Sequence, residues 1–217
     1  MDDYEKLISD IIHEKVRINN EIRDSQDSYI GRLAPITLSV LDNAEIIWRL
    51  TKWRNQASRY FLTQFNATTE RTKRWLEEVV LKDHSRLMFL IYSPTKLIGQ
   101  YGFKGLAVDS VEIDNLIRGE IGGHPELIYY AEIALIKWLF ATFRIKRIYG
   151  FVLADNFIVL HLHQSVGFRH TDLIPLQKRE FQGEIHLEMG NPGDTSSDGL
   201  YSQKLELVPT DFVFQGD

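Results

Sequence analysis

Between Gly119 and Gly167 the chain carries the pattern that most narrows its fold: a glycine-rich loop, a long helix, a short strand, and a helix ended by glycine. Gly119, Gly122, Gly123 and Pro125 make the loop. The helix predicted over residues 125–143 places Ile128, Ala131, Leu135, Trp138 and Leu139 on one stripe, the spacing of a helix that packs on a sheet. Pro125 suits the first helical position, where the missing N–H is no loss. Residues 147–152 read as a strand. Asp155-Asn156 then starts a helix over 157–165, and Gly167 gives it a left-handed stop. Strand resumes at Phe168.

The flanking sequence fills in a mixed layer architecture. A strand is predicted over 33–41, and Asp42-Asn43 caps a helix carrying Ile46, Ile47, Leu50 and Trp53. Thr68-Thr69 caps another through Trp75, Leu76, Val79 and Val80. Strand-like runs at 86–92 and 96–103 are joined by Ser93-Pro94-Thr95, a hairpin signal, and 110–117 extends the meander. Residues 173–199 are polar and turn-rich, with a hairpin around Gln182-Gly183, and 200–208 form a closing strand. The fold class is therefore α/β (α+β): a mostly antiparallel sheet with helices on both faces. Near the N-terminus, Leu7, Ile8, Ile11, Ile12, Val16 and Ile22 have helical spacing over residues 2–23. That stripe is covered by its own domain or serves as a dimerisation arm, giving a homodimer. The turn-prone Asp24 to Ser28 makes residues 1–28 an N-terminal helical extension and 29–217 a single domain.

Charge and composition exclude several classes. A net charge of −5, without a basic cluster, argues against a nucleic-acid backbone binder. No cysteine is present, so disulfides, thiolate metal sites and a cysteine nucleophile are excluded, and no metal is expected. The longest apolar-rich run, 128–143, is broken by Glu132 and Lys137, and the first residues are acidic. No membrane partner is expected; a cytoplasmic location is.

Three features carry candidate chemistry. Amide N–H groups in the glycine loop, leading into a helix N-terminus, suit an anion such as a pyrophosphate, because unsatisfied donors and the helix dipole are positive there. The same residues also suit a plain turn. Asn156 and His163 lie nearly two helical turns apart, on one face with Val159-Leu160 between them. They line a ligand channel, or they are an N-capping Asn and a surface His. Glu112, with Asp114 on the same strand face, is a solvent-facing carboxylate or a buried general base.

In this order the features resemble the GNAT superfamily of N-acyltransferases over about residues 33–168. Residues 156–168, Asn-Phe-Ile-Val-Leu-His-Leu-His-Gln-Ser-Val-Gly-Phe, are similar to the family's second motif, an Asn and a short helix ending in Gly-Phe. The resemblance implies a splayed sheet: the strand at 111–117 parts from the strand at 148–152 and the pantetheine arm fills the opening. It further implies a pyrophosphate on Gly122-Gly123-His124 and Asn156 bonded to the pantetheine arm. Backbone N–H groups near Asn115, Leu116 and Ile117 would polarise the thioester carbonyl. Two positions depart from the family pattern. Pro125 stands where a second small loop residue is usual, which removes one phosphate donor. His163 stands where many members carry a tyrosine that protonates the leaving thiolate, a task an imidazolium can perform. Trp53-Arg54-Asn55 resembles a substrate-binding stretch of enzymes that acetylate amino sugars on nucleotide carriers, such as those of the pseudaminic acid pathway. Ribosomal-protein-type acetyltransferases carry similar residues there.

The expected activity is acyl-CoA-dependent N-acylation of a primary amine, with acetyl-CoA or another acyl-CoA as co-substrate and a nucleotide sugar as one acceptor. Glu112 takes the amine proton through a water, the amine attacks the thioester directly, and His163 protonates the thiolate. Residues 173–199, long for a connection, are expected to shape the acceptor site. The alternatives are an acetyltransferase for a protein or small-molecule amine, a non-catalytic acyl-CoA-binding or interaction module, and a scaffold that uses the N-terminal helix without a ligand.

Overall fold

The computed structural model describes residues 3–213. In chain order its elements are α1 (Asp3–Ile12), β1 (Asn20–Arg23), β2 (Tyr29–Pro35), α2 (Ala44–Gln56), β3 (Thr63–Gln64), α3 (Thr69–Trp75), β4 (Leu87–Tyr92), β5 (Leu97–Lys104), β6 (Ser110–Arg118), α4 (Leu127–Phe143), β7 (Arg147–Leu153), α5 (Phe157–Val166), β8 (Arg169–Phe181), β9 (Glu184–Met189) and β10 (Leu200–Leu207). They gather into two compact units. The first contains the residues up to Trp53 with Ala67–Lys146, the second Arg54–Asn66 with the residues from Arg147 onward. The class is the expected mixed α/β one, and the paired strands within each unit run antiparallel.

In the first unit the strand order is β1-β2-β4-β5-β6. Leu87 to Ile91 and Leu97 to Phe103 are buried on both faces, as central strands must be. The helix α4 rests on this sheet. Leu127, Ala131, Leu135, Ile136 and Leu139 are buried, each large one contributing about 1.5–3 kcal/mol. The Trp138 ring meets Phe89 edge-on at 5.6 Å. Glu132, also fully buried, accepts the Tyr101 O–H at 3.1 Å, which supplies the polar partner that a buried carboxyl requires. Burial, and then the charge of Glu132, push the Tyr101 pKa well above its ordinary value.

Helix starts follow the local signals. Asn43 Oδ1 accepts from the Ile46 N–H at 3.1 Å, and Thr68 Oγ1 from the Arg71 N–H at 3.1 Å. The α3 helix continues as a π-turn over Leu76–Val80, closed by Leu81 N–H on the Leu76 carbonyl.

The N-terminal helix predicted to residue 23 ends at Ile12 instead. Asn20–Arg23 pair with β2 through a tight turn in which Asp24 Oδ1 accepts the Gln26 and Ser28 N–H groups at 2.9 Å. Val16 and Ile22 continue the helical spacing by coincidence. Ile22 is buried as a strand residue, which a short run of sequence does not distinguish from a helical one. Ile8, Ile11 and Ile12 are at most 1% exposed, so the stripe of α1 is covered by its own unit and the arm reading loses its apolar face. The strand predicted at 33–41 begins at Tyr29 and stops at Pro35, with a 3₁₀ turn at Leu38–Asp42.

The second unit has strand order β7-β10-β8-β9-β3. Residues 173–199, expected as a long connection, are mostly strand: β8 runs for 13 residues and pairs with β9. The predicted hairpin at Gln182-Gly183 is present, with φ of 51° and 80° at the two turn residues. No helix among the described residues is long and apolar enough to cross a membrane.

Candidate functional site

The central device of the first unit is an irregularity in β6. Gly102 faces Asp114 and Gln100 faces Ile117, so Asn115 and Leu116 together oppose Tyr101. One extra residue on one strand is a β-bulge, which breaks the ladder locally and increases twist. Asn115 carries it in the left-handed region, φ 59°, where Asn is among the least penalised side chains. The Gln100 Nε2 donates to the Asn115 carbonyl at 3.3 Å, and Asn115 Nδ2 to Asp114 Oδ2 at 2.6 Å. Asn115 and Leu116 thus sit where the β5–β6 ladder is interrupted, and Ile117 is where it resumes.

Glu112 and Asp114 share a face, as strand spacing predicts. Lys104 Nζ lies 3.0 Å from Glu112 Oε1 and 3.5 Å from Asp114 Oδ1, and Arg86 Nη1 is 3.8 Å from Asp114 Oδ2. Burial raises the Glu112 pKa above its ordinary value. Lys104 draws it back, and the like charge of Asp114 adds to the rise. Burial works against the charge of Lys104, yet Asp114 and Glu112 outweigh it and its pKa is raised. Glu112 is therefore a half-buried carboxylate with a perturbed proton affinity.

After β6 the chain enters the glycine loop. Gly119 and Glu120 N–H both donate to the Ile98 carbonyl at 2.9 Å. Gly119 presses on the Trp53 indole, where a Cβ would come within 2.0 Å of the ring. Glu120 Oε1 accepts the Trp53 Nε1–H at 3.1 Å and Lys52 Nζ at 3.0 Å, and these two bonds, in that order, lower its pKa. Gly122 and Gly123 take φ of 113° and 73°, conformations open to glycine and strained for other side chains. Pro125 does not begin the helix. It lies in a turn closed by Leu127 N–H on the His124 carbonyl at 3.0 Å, and α4 starts two residues later with Glu126 at its N-cap. His124 Nδ1 accepts the Glu126 N–H at 3.3 Å.

In the second unit Asn156 precedes α5 but makes no side-chain cap; its backbone N–H donates to Leu153 at 2.9 Å. The capping reading therefore fails. His163 is 3% exposed, with its ring 5.2 Å from that of Phe168, so the surface reading fails as well. Gly167, φ 116°, ends α5 as predicted, with Gly167 N–H on Gln164 and Phe168 N–H on His163.

Trp53, Arg54 and Asn55 do not share one environment. Trp53 is fully buried in the first unit and holds the glycine loop rather than presenting a surface. Arg54, in the second unit, donates from Nη2 to the Thr63 carbonyl at 2.5 Å and lies 3.7 Å from the Phe61 ring centroid. Asn55 is half-buried. Sequence reasoning missed the bulge, Lys104 and the Tyr101–Glu132 pair. Asn115, a second polar residue in succession that breaks the apolar-polar alternation Val111-Glu112-Ile113-Asp114, was the available signal for the bulge.

A family model described as an acetyltransferase (GNAT) domain matches residues 32–169. No curated protein sequence matches the chain. Among solved structures, the RimL ribosomal L7/L12 alpha-N-protein acetyltransferase bound to coenzyme A superposes with TM-score 0.65 at 11% identity, over 88% of this chain and 98% of that one. Spermidine N-acetyltransferase from Vibrio cholerae, with CoA and spermine, gives 0.59 at 15% identity over 82% and 95%. Campylobacter jejuni N-acetyltransferase PseH with acetyl coenzyme A gives 0.51 at 16% identity over 83% and 99%. At these identities the likeness is one of fold.

Proposed function

The chain belongs to the GNAT acetyltransferase family, and on that premise we propose that it acetylates the primary amine of a nucleotide-linked amino sugar, using acetyl-CoA. The observation that carries the reading is the run from the Asn115 bulge into the left-handed Gly122-Gly123 turn ahead of α4. Both devices take backbone N–H groups out of regular pairing, and such groups stabilise an acyl oxyanion and a diphosphate. Acetyl-CoA supplies the thioester. Glu112 takes a proton from the amine through a water, and its raised pKa makes it a better acceptor than an ordinary carboxylate. The neutral amine nitrogen attacks the acetyl carbon as it gives up this proton, the N–C bond forms and the C–S bond breaks. His163 gives a proton to the departing thiolate, and Asn156 holds the pantetheine arm. No protein nucleophile is needed, which suits a chain without cysteine.

The amino-sugar acceptor is supported by the Trp53-Arg54-Asn55 resemblance, with Arg54 and Asn55 as the candidate contacts. The test is thiol release from acetyl-CoA with nucleotide-linked amino sugars, polyamines and peptides bearing a free N-terminus. Turnover with an amino sugar is expected. Turnover confined to a polyamine or a peptide overturns the acceptor, and absence of both turnover and CoA binding overturns the whole reading.

A further inference from the structure

Two cations hold the glycine loop by its carbonyls. Arg118, the last residue of β6, donates from Nη2 to the Gly122 carbonyl at 3.2 Å and from Nη1 to the Pro125 carbonyl at 3.3 Å. Lys96, in the turn between β4 and β5, donates from Nζ to the Ile121 carbonyl at 2.5 Å. A trans peptide is planar, so the carbonyl of one residue and the N–H of the next point in opposite directions. No cis peptide occurs among the described residues. Turning the carbonyls of 121, 122 and 125 toward the cations therefore aims the N–H groups of Gly122, Gly123 and Glu126 away from them. The first two meet no acceptor among the described residues, and the third reaches His124 Nδ1 only at 3.3 Å.

We propose that Arg118 and Lys96 are positioning residues for the co-substrate: by gripping three loop carbonyls they present the three opposed amides to the diphosphate of acetyl-CoA. This rests on the acetyl-CoA reading above. The grip matters more here because Pro125 contributes no amide of its own. Arg118 is suited to the task by shape as well as charge. Its fork spans two carbonyls at once, which an ammonium on a single stem does not. Lys96 holds the carbonyl of Ile121 and Arg118 those of Gly122 and Pro125, so each fixes peptides that the other leaves loose.

The experiment compares wild type, R118M, R118K and K96M. CoA binding is measured by calorimetry, and KM and kcat with acetyl-CoA and with S-acetylpantetheine, which lacks the diphosphate. For R118M, CoA affinity is expected to fall about tenfold, the loss of hydrogen bonds from a charged donor that preorganise the site. That loss falls on KM for acetyl-CoA rather than on kcat, is absent with S-acetylpantetheine, and is not rescued by R118K. K96M, altering an exposed side chain, follows the same pattern more weakly. Full rescue by R118K overturns the proposal, because charge alone then suffices. Equal losses with S-acetylpantetheine overturn it too, because the residues then support the fold at large. Wild-type protein that binds no CoA removes the acetyl-CoA reading itself, a result separate from either.

Discussion

Replacing Asn115 tests whether the bulge in β6 is built by the backbone or merely tolerated. At φ 59° the residue stands in the left-handed region, which costs an ordinary L side chain about 1–2 kcal/mol and glycine nothing. Both Asn115→Gly and Asn115→Val delete the 2.6 Å bond to Asp114, so their difference isolates the backbone. Val, branched at Cβ, should fall below Gly by at least about 1–2 kcal/mol. For a chain of this size that is about 2–4 °C in Tm per kcal/mol. If the strand instead escapes the strain by expelling the extra residue, one flank slips by a position and its side chains change faces. Glu112 would then leave Lys104, 3.0 Å away. Thermal unfolding and kcat/KM in the thiol-release assay read the two outcomes: the Gly variant stays active, and the Val variant loses stability, activity or both. Val matching Gly in Tm and in kcat/KM would refute the reasoning.

Trp53→Ala should cost about 3–5 kcal/mol in denaturant unfolding, because the ring is fully buried; an unchanged midpoint with a raised acceptor KM would return Trp53 to the substrate. Gly167→Ala should destabilise by more than about 1 kcal/mol, since φ is 116° and a Cβ would lie 2.2 Å from the Asp211 carbonyl; calorimetric Tm checks it. Activity should rise with pH through the raised pKa of Glu112 and then level off. Glu112→Gln should erase that limb, and Lys104→Met should move it to higher pH by removing the cation that draws it down; a limb that stays fixed in both variants rejects Glu112 as base. The stability sign is opposite. A carboxyl whose folded pKa is raised favours the fold below its ordinary pKa, and that contribution is lost as pH climbs through the raised value.

Features set by neighbouring residues were legible in the sequence. The caps at Asn43 and Thr68, the stop at Gly167 and the Gln182-Gly183 turn each follow from the conformational limits of a few adjacent side chains. What escaped depended on distant partners. The length of the strands on either side of that turn escaped: the outer residues of β8 are largely exposed and knit to β9 by pairs such as Arg179–Glu188 at 2.7 Å, so no apolar alternation announces how far they run. The bulge exists only relative to the register of β5. Trp53 read as a ligand contact because its motif is local, whereas its burial depends on Gly119 and Glu120, more than sixty positions on.

The contact between Gly119 and the Trp53 indole has an evolutionary corollary. A side chain at 119 has no room unless the ring at 53 shrinks, and a smaller ring would abandon the Glu120 carboxylate that it now anchors. Positions 53, 119 and 120 are thus free to drift only in concert, and a lineage that altered one alone would loosen the turn ahead of α4.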